Sequence, residues 1–376
     1  MIECEPSKRT AWAIVLFYLF IGFEIIYMIS PFGIYYYSVY GEGLGFLNEH
    51  PLTAWLCAFF LPHIATTSSW ALNTSKSIGW VLAVLGIAGF LASAVPIYYS
   101  KLRRRGPVTG GIYRFVRHPQ YSSLIACSFG LLLVWPRNIV MITFVAVVFA
   151  YYFLARAEEK ECSARFGPAF GEYVRRTGMF LPFDLRLRRR LPALPRGGIR
   201  RTVAILGCFV AALVLGIALA HAARLWSVRS LYTVHTDDSA IVSLVPLDQP
   251  SIREAVGIAL ADAEVTARVR AAKFAPSRFL IYVMPSEWSE SDIPMNTAGR
   301  HGHHEPPDWD RDRLKVLIMR AIVDAGSAPT GEEILLSVRD RKPIVEVTVA
   351  MNPGHVVTIG QPPDTVRWGG IPTPIF

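Results

Sequence analysis

Charged residues are scarce in this chain of 376 residues. They make up 18% of the sequence, whereas hydrophobic residues make up 52%. Soluble proteins are usually about one-quarter charged, so this composition excludes a wholly water-soluble protein of ordinary type. The shortage is uneven, because long apolar runs fill the first 224 residues and the remainder has the composition of a normal globular domain. The two regions therefore predict different kinds of structure.

Cysteine is also rare, and no two cysteines form a CxxC pair. The five cysteines are Cys4, Cys57, Cys127, Cys162 and Cys208, all in or beside the apolar region. This spacing provides no cysteine metal motif, and the C-terminal region has no disulfide to stabilise it. The N-terminus also lacks the small-residue cleavage site of a secretory signal, so we expect its apolar run to be a retained helix.

The net charge of +9 belongs to the apolar region. Residues 226–376 carry 15 basic and 19 acidic side chains, and the rest of the chain carries 23 basic and 10 acidic ones. Because the basic residues flank apolar runs, they indicate membrane topology, and no nucleic-acid binding is expected.

Six apolar runs have helical length, which predicts an α-helical integral membrane bundle of about six transmembrane helices. The runs cover about residues 11–30, 52–73, 78–99, 121–135, 138–156 and 202–224. The fourth run is short, about 22 Å as a helix, and Pro136-Arg137-Asn138 joins it directly to the fifth. These two runs predict a shallow helical hairpin.

The segments on either side of the hairpin, residues 100–120 and 157–201, are rich in arginine. The positive-inside rule makes both cytoplasmic, so the last helix delivers the C-terminal region to the opposite side, the periplasm of a bacterial inner membrane. Counting backward places the N-terminus outside, which conflicts with Lys8 and Arg9 before the first helix. A re-entrant early segment would remove this conflict.

Four regions follow from these patterns. They are a membrane core over residues 1–184, a basic cytoplasmic linker over 185–201, an additional transmembrane helix over 202–224 and an extracytoplasmic domain over 225–376. The last region mixes helical patterns with alternating runs such as FLIYVMP and PIVEVTVAMN. We expect a small α+β domain there.

Two polar segments carry the candidate chemistry. The first reads GPVTGGIYRFVRHPQYSS and precedes the hairpin, and the second reads ARAEEKECSARFGPAFGEYVRRTGMFLPF and follows it. Because a hairpin returns to the side it left, we expect the two segments to meet at one membrane surface.

Together these segments resemble the isoprenylcysteine carboxyl methyltransferase and phospholipid methyltransferase superfamily. The matching residues are Gly111-Ile112-Tyr113, Arg117-His118-Pro119-Gln120-Tyr121, Glu158-Glu159, Phe166-Gly167, Tyr173 and Leu181-Pro182. The resemblance covers about residues 75–183 and implies an S-adenosylmethionine-dependent transferase that takes a lipophilic acceptor from the bilayer. Ser123 departs from the pattern, where a glycine is usual.

The resemblance implies a cofactor-binding set. Its members are Pro107, Val108, Thr109, Tyr113, Arg117, His118, Pro119, Tyr121, Glu158 and Tyr173. We expect the rings of Tyr113 and Tyr121 to hold the cationic sulfonium and Glu158 to pair with the amine. His118 and the backbone near Val108 are expected to provide hydrogen bonds, and Pro119 fits the first turn of a helix.

Arg156 and Glu159 are the expected catalytic residues on the acceptor side. If the acceptor is a prenylcysteine-like carboxylate, Arg156 holds it without a general base. If the acceptor is a lipid amine, Glu159 helps to remove its proton. Methyl transfer is an in-line displacement, so positioning and exclusion of water matter more than a dedicated nucleophile.

Several polar residues outside this motif allow other interpretations. Glu24 and His63 lie in the first two predicted helices, where they could pair. A histidine-rich run contains His301, His303, His304 and Glu305. Imidazoles suit zinc or copper, but the surrounding glycine, proline and aspartate favour a solvated loop, so no metal is expected.

Two other functions stay open. One is a nicotinamide-dependent membrane reductase of related architecture. The other is a membrane-tethered binding or sensing protein whose function lies in residues 225–376. No family resemblance is identified for that region, and its partner is not predicted.

Overall fold

A computed structural model describes residues 8–41, 43–103, 108–182, 198–273, 277–296, 300–323, 328–364 and 368–376. Within these ranges seven α-helices precede the first strand: α1 Lys8–Tyr40, α2 Leu44–Glu49, α3 Ala54–Cys57, α4 Trp70–Leu102, α5 Pro119–Val134, α6 Asn138–Arg176 and α7 Gly198–Ser230. Four of the predicted runs, 78–99, 121–135, 138–156 and 202–224, lie in α4 to α7 to within a residue. Helix α1 continues ten residues beyond the end predicted at residue 30.

Three of the described helices are long and apolar enough to cross a membrane, namely α4, α6 and α7. Helix α5 is apolar but shorter, as expected for the first arm of the hairpin. Large apolar side chains such as Leu85, Val95 and Leu215 are exposed on these helices. Lipid is the environment in which such a surface is stable. The structure therefore fits a membrane-spanning helical part.

The helix predicted over residues 52–73 is wrong, and six spans are not confirmed. Only α3 and the first turn of α4 are helical in this range. Pro62 has no amide hydrogen, and the amides of Phe60 and His63 donate to the carbonyl oxygens of Pro136 and Phe376, each at 2.9 Å. Because these amides bond outside their own segment, a helix cannot continue through it.

The non-helical residues 58–69 instead join the C-terminal sheet. The amide of Thr66 donates to the carbonyl of Leu244 at 3.0 Å, and Ile64 and Ala65 are buried in the same apolar core as the sheet residues. The apolar residues that predicted a membrane helix are therefore buried inside the protein, against the sheet. A short apolar run does not distinguish these two environments by periodicity.

The C-terminal region forms a mixed sheet with helices, which confirms the expected α+β class. Its elements are β1 Tyr232–His235, β2 Ser239–Ser243, α8 Gln249–Ala261, α9 Ala263–Ala272, β3 Arg278–Pro285, β4 Trp288–Ser289, β5 Arg300–His301, β6 Arg313–Ile322, α10 Glu333–Ser337, β7 Asp340–Ala350 and β8 His355–Gly360. The main sheet has the order β1-β2-β3-β6-β7-β8, and only the β2–β3 pair in it is parallel. The short strands β4 and β5 pair separately.

The chain divides into two compact units by its internal contacts. The first contains residues up to Ser38, Leu82–Phe129 and Thr143–Ala212, and the second contains Val39–Val81, Gly130–Ile142 and Leu213–Phe376. The domain boundaries drawn from the sequence stay a prediction. Most of the predicted basic linker lies outside the described residues, because residues 183–197 are not among them.

Small residues allow α4 and α5 to approach closely within the first unit. A Cβ atom added at Gly86 would lie 2.6 Å from the amide nitrogen of Cys127 and 2.7 Å from the carbonyl oxygen of Ser123. At Gly89 it would lie 2.7 Å from the hydroxyl of Ser123. Ser123, which departs from the family pattern, therefore packs against a glycine of the neighbouring helix.

We expect Gly86→Ala to lower the stability of the first unit by about 1–3 kcal/mol, because the new methyl group would meet backbone atoms that cannot rotate away. Gly207→Ala is the matched control, since a Cβ atom there meets nothing within 4 Å. Thermal unfolding in detergent measures both. Equal midpoints for the two variants would contradict the close approach of α4 and α5.

Candidate active site

The two polar segments meet, as the hairpin predicted. Val116 and Gly178 form a parallel β-bridge. The amide of Arg117 donates to the carbonyl of Gly178 at 2.9 Å, and the amide of His118 donates to the carbonyl of Met179 at 3.1 Å. This short ladder brings the residues before α5 to those that follow α6.

Local backbone chemistry places Tyr113 and Pro119. Gly111 has a φ of 60°, which favours glycine, and begins the 3₁₀ turn Gly111–Arg114 that contains Tyr113. Pro119 is the first residue of α5, as predicted, where its missing amide hydrogen costs nothing.

Tyr113 and Tyr173 connect three parts of the site. The buried Tyr113 hydroxyl lies 2.8 Å from the carbonyl oxygen of Ser93 and 3.1 Å from Gln120 Oε1. Tyr173 donates its hydroxyl to the carbonyl of Tyr113 at 2.7 Å. Both tyrosines therefore hold the 3₁₀ turn against α4 and α6.

Arg117 is buried, and protein groups surround its guanidinium. Its Nε donates to Glu159 Oε1 at 2.7 Å, and its Nη1 donates to the carbonyls of Val174, at 3.2 Å, and Thr177. A guanidinium offers five donors in a rigid fork, so it can link the carboxylate and the end of α6 at once. Arg117 thereby ties α6 to the residues before α5.

His118 lies between the two glutamates. Its Nδ1 is 3.3 Å from Glu158 Oε2 and its Nε2 is 3.7 Å from Glu159 Oε1. Burial alone would lower the pKa of His118, but the hydrogen bonds and negative charges of Glu158 and Glu159 outweigh burial and raise this pKa above its ordinary value of 6.5. The two carboxylates therefore stabilise the protonated form of this imidazole.

Tyr121 is fully buried, and its hydroxyl donates to Glu158 Oε1. Its ring stacks on the His118 ring, with centroids 5.6 Å apart, and on the Tyr151 ring, at 4.9 Å. The Tyr113 ring is buried too. The expected cation–π contacts of these tyrosines with the sulfonium stay a prediction, and both rings are covered by protein in this structure.

Glu158 and Arg156 are the charged members of the site that remain open. The Glu158 side chain is 42% exposed and the Arg156 side chain is 43% exposed. Arg156 Nη1 donates to Glu159 Oε2 at 3.1 Å. Glu159 itself is buried between Arg117 and Arg156. The site thus presents an accessible carboxylate and an accessible guanidinium.

The remaining predicted residues are less closely connected to this arrangement. Val108 is half-buried and Thr109 is exposed, between α4 and the 3₁₀ turn, and Pro107 lies outside the described residues. The predicted pair of Glu24 and His63 is wrong. Glu24 pairs with Lys101, whereas the His63 side chain lies beside Asp292.

Four residues that complete the site were not predicted from the sequence. Ser93 and Thr177 contribute through carbonyl oxygens, Gln120 receives the Tyr113 hydroxyl, and the Phe180 ring lies 6.3 Å from that of His118. Backbone acceptors leave no side-chain signature, so a motif cannot reveal them. Gln120 lies inside the R-H-P-x-Y motif at its variable position.

Residues 64–169 match the family described as phospholipid methyltransferase. The matched range contains both halves of the site from Tyr113 to Glu159, and it confirms the resemblance drawn from the motifs. The match ends well before the C-terminal region, for which no family is recognised. Comparison with curated proteins and with solved structures returns no match. Residues 64–169 are thus similar to a family of membrane methyltransferases.

The raised pKa of His118 predicts a pH-dependent stability. A histidine whose pKa is higher in the folded state stabilises the fold fully below its ordinary value of 6.5, and this contribution is lost as the pH rises through the raised pKa. Wild type should therefore lose its stability advantage over His118→Gln as the pH increases. Thermal midpoints of both proteins, measured from pH 6 to pH 9, test this.

The exposed His355 of β8 provides the control. His355→Gln makes the same substitution at a surface position outside the site, so it shows what the loss of an imidazole there does to the thermal midpoint. A difference between wild type and His118→Gln that does not change with pH would contradict the glutamate-stabilised imidazolium.

Proposed function

We propose that this protein is an S-adenosylmethionine-dependent integral membrane methyltransferase acting on a lipophilic acceptor. The observation that carries the proposal is the convergence of Arg117, His118, Glu158 and Glu159 within the matched range, beside a hairpin of apolar helices. Such a site can take a charged cofactor from water and an apolar acceptor from lipid.

The groups present fit a cationic cofactor. S-adenosylmethionine supplies an electrophilic methyl group when bound, and it carries a sulfonium, an amine and a carboxylate. The partly exposed carboxylate of Glu158 suits either cation. The buried His118 imidazole lies beside Glu158 and Glu159, and in its protonated form it suits a carboxylate. We therefore assign Glu158 and His118 to cofactor binding.

The other predicted residues divide by their contacts. We assign Arg117, Tyr113, Tyr121, Pro119 and Tyr173 to positioning, because their polar groups bond to protein or their rings are covered by it. Tyr121 fixes the Glu158 carboxylate, and Arg117 fixes Glu159. Val108 and Thr109 remain proposed cofactor contacts, since they precede the 3₁₀ turn and are half-buried and exposed, respectively.

Arg156 is the proposed acceptor contact. Its Nη1 donates a hydrogen bond to Glu159, which orients the guanidinium. The side chain is partly exposed, so it can bind an anionic group on the acceptor. Glu159 is itself enclosed by Arg117 and Arg156, so its contacts favour orientation over proton removal. This arrangement favours a carboxylate acceptor over an amine.

We place the active site on the cytoplasmic side by the positive-inside rule. Because most of residues 52–73 are not helical, the chain has one membrane crossing fewer than the six predicted from the sequence. If α1 spans the membrane, Lys8 and Arg9 then lie on the cytoplasmic side too, and the conflict seen in the sequence disappears. The C-terminal domain stays on the extracytoplasmic side in this topology.

Cofactor binding can be tested by calorimetry on the full chain in detergent. We expect Glu158→Gln to weaken S-adenosylmethionine binding at least tenfold, about 1.4 kcal/mol, because it removes the accessible negative charge while preserving shape. Glu161→Gln, on the exposed surface of the same helix, is the matched control and should bind like wild type.

Thermal melting must show that both variants are folded. No S-adenosylmethionine binding by folded wild type would end the methyltransferase proposal. Binding of reduced nicotinamide cofactor instead would favour the reductase. Cellular activity that survives Glu158→Gln and disappears when residues 225–376 are deleted would favour the tethered binding or sensing protein.

The role of Arg156 separates acceptor binding from cofactor binding. Arg156→Ala should raise KM for a farnesylcysteine carboxylate by about tenfold or more and leave S-adenosylmethionine affinity unchanged, because only the acceptor loses a charged partner. Lys160→Ala, one turn further along α6, is the control. Methylation of phosphatidylethanolamine with no effect of Arg156→Ala would indicate an amine acceptor bound elsewhere in the site.

A further inference from the structure

A second polar cluster lies within the second unit, remote in sequence from the motifs described above. His63 belongs to the non-helical residues 58–69, and Asp292 and His303 lie on either side of β5. One ligand atom from each of the three lies within 4.8 Å of the other two. His63 Nε2 is 3.7 Å and His303 Nδ1 is 3.8 Å from Asp292 Oδ2.

Three polar atoms of this cluster have no hydrogen-bond partner among the described residues. They are both carboxylate oxygens of Asp292, which is 0% exposed, and the buried Nε2 of His63. A buried carboxylate without a partner is strongly unfavourable, so a cation between these atoms would remove a large electrostatic cost.

Neighbouring groups orient both imidazoles. The His63 side chain bonds to the backbone of Val134, which leaves Nε2 directed at Asp292, and its ring stacks on the Trp135 ring with centroids 4.6 Å apart. His303 Nδ1 lies 2.9 Å from the buried Glu290 carboxylate. A metal-binding histidine is commonly fixed as His63 is, by a hydrogen bond from its second ring nitrogen to a backbone carbonyl. His303 Nδ1 instead faces both carboxylates, so it can bind a metal ion only in its unprotonated form.

Two cationic side chains approach the cluster, but they bond to carbonyl oxygens. Lys76 Nζ donates to the backbone oxygen of His63 at 3.3 Å, and Arg341 Nη2 donates to that of Asp292. Neither cation forms an ion pair within 4.0 Å of the Asp292 or Glu290 carboxylate in the described part of the chain. Both Asp292 oxygens and Glu290 Oε2 thus have no hydrogen-bond partner among the described residues and can bind a metal ion.

We propose that His63, Asp292 and His303 form a binding site for a divalent transition metal of the zinc class. Two imidazoles and a carboxylate are ligands that zinc accepts, at about 2.0–2.2 Å. Tetrahedral coordination at that distance places ligand atoms about 3.3 Å apart. The two spacings to Asp292 Oδ2 therefore need to close by about half an ångström, and the spacing between the two imidazoles, which is at most 4.8 Å, by up to about 1.5 Å. Glu290 stands beside His303 as a further carboxylate.

A metal ion here would join residues 58–69 to the loop around β5, two segments about 230 residues apart in the chain. The His303 side chain is 43% exposed, which provides a path for the ion and a position for a water ligand. In the sequence, His301, His303, His304 and Glu305 form a histidine-rich run in which no metal is expected. In the structure Glu305 instead accepts a hydrogen bond from Trp309 Nε1 at 2.7 Å.

The test uses the full chain, purified in detergent with a tag that contains no histidine and stripped with a chelator. Zinc is titrated against a chromophoric competitor, and cobalt substitution is followed by visible absorption. Wild type should bind about one zinc per chain and show the strong absorption of tetrahedral cobalt. Bound zinc should also raise the thermal midpoint.

His303→Ala should weaken zinc binding at least tenfold, and so should Asp292→Asn. His304→Ala, next to His303 but outside the cluster, should bind like wild type. Zinc stoichiometry near zero at micromolar zinc, or wild-type affinity in His303→Ala, would overturn the site and leave a buried polar cluster only. Because His303 is partly exposed, its variant decides the question even if Asp292→Asn does not fold.

Discussion

The buried ion pair of Arg117 and Glu159 is the contact on which the candidate active site depends. It joins the residues before α5 to α6, and the same guanidinium holds the carbonyls at the end of α6. Removing one partner of such a pair strands the other charge, a loss of about 3–5 kcal/mol. Together with the backbone bonds of Arg117 and His118 to Gly178 and Met179, this pair keeps His118 beside Glu158. The motif arginine therefore builds the site, and its neighbours supply the binding groups.

Burial then separates two kinds of residue within one motif. Tyr113, Tyr121 and Arg117 have their polar groups bonded to protein, whereas Glu158 and Arg156 remain open. The motif does not distinguish the residues bonded to protein from the open ones, because residue type does not reveal exposure. The structure shows which atoms are available to a ligand. For this reason we propose the Glu158 carboxylate, and not the tyrosine rings, as the contact for the cation.

The sequence predicted the helical hairpin, the meeting of its two flanking segments and the α+β class of the C-terminal region. These features depend on local patterns that a single sequence displays. The patterns are the length of the apolar runs, the turn at Pro136 and the alternation of apolar and polar residues in strands. It failed at residues 52–73, where apolar residues are buried by a sheet formed almost 200 residues later. It could not indicate Ser93 or Thr177 in the site, because both act through backbone oxygens.

The same limit explains why the His63 cluster was not visible in the sequence. His63 appeared as an ionisable residue inside a membrane helix, where only another helix residue such as Glu24 could be its partner. Once residues 58–69 are non-helical, Pro62 ends any helix before His63, and the imidazole faces Asp292. The wrong helix and the missed cluster thus have one cause. In this chain the buried His63, in an apolar segment that contains Pro62, belongs to the folded sheet domain and not to a membrane span.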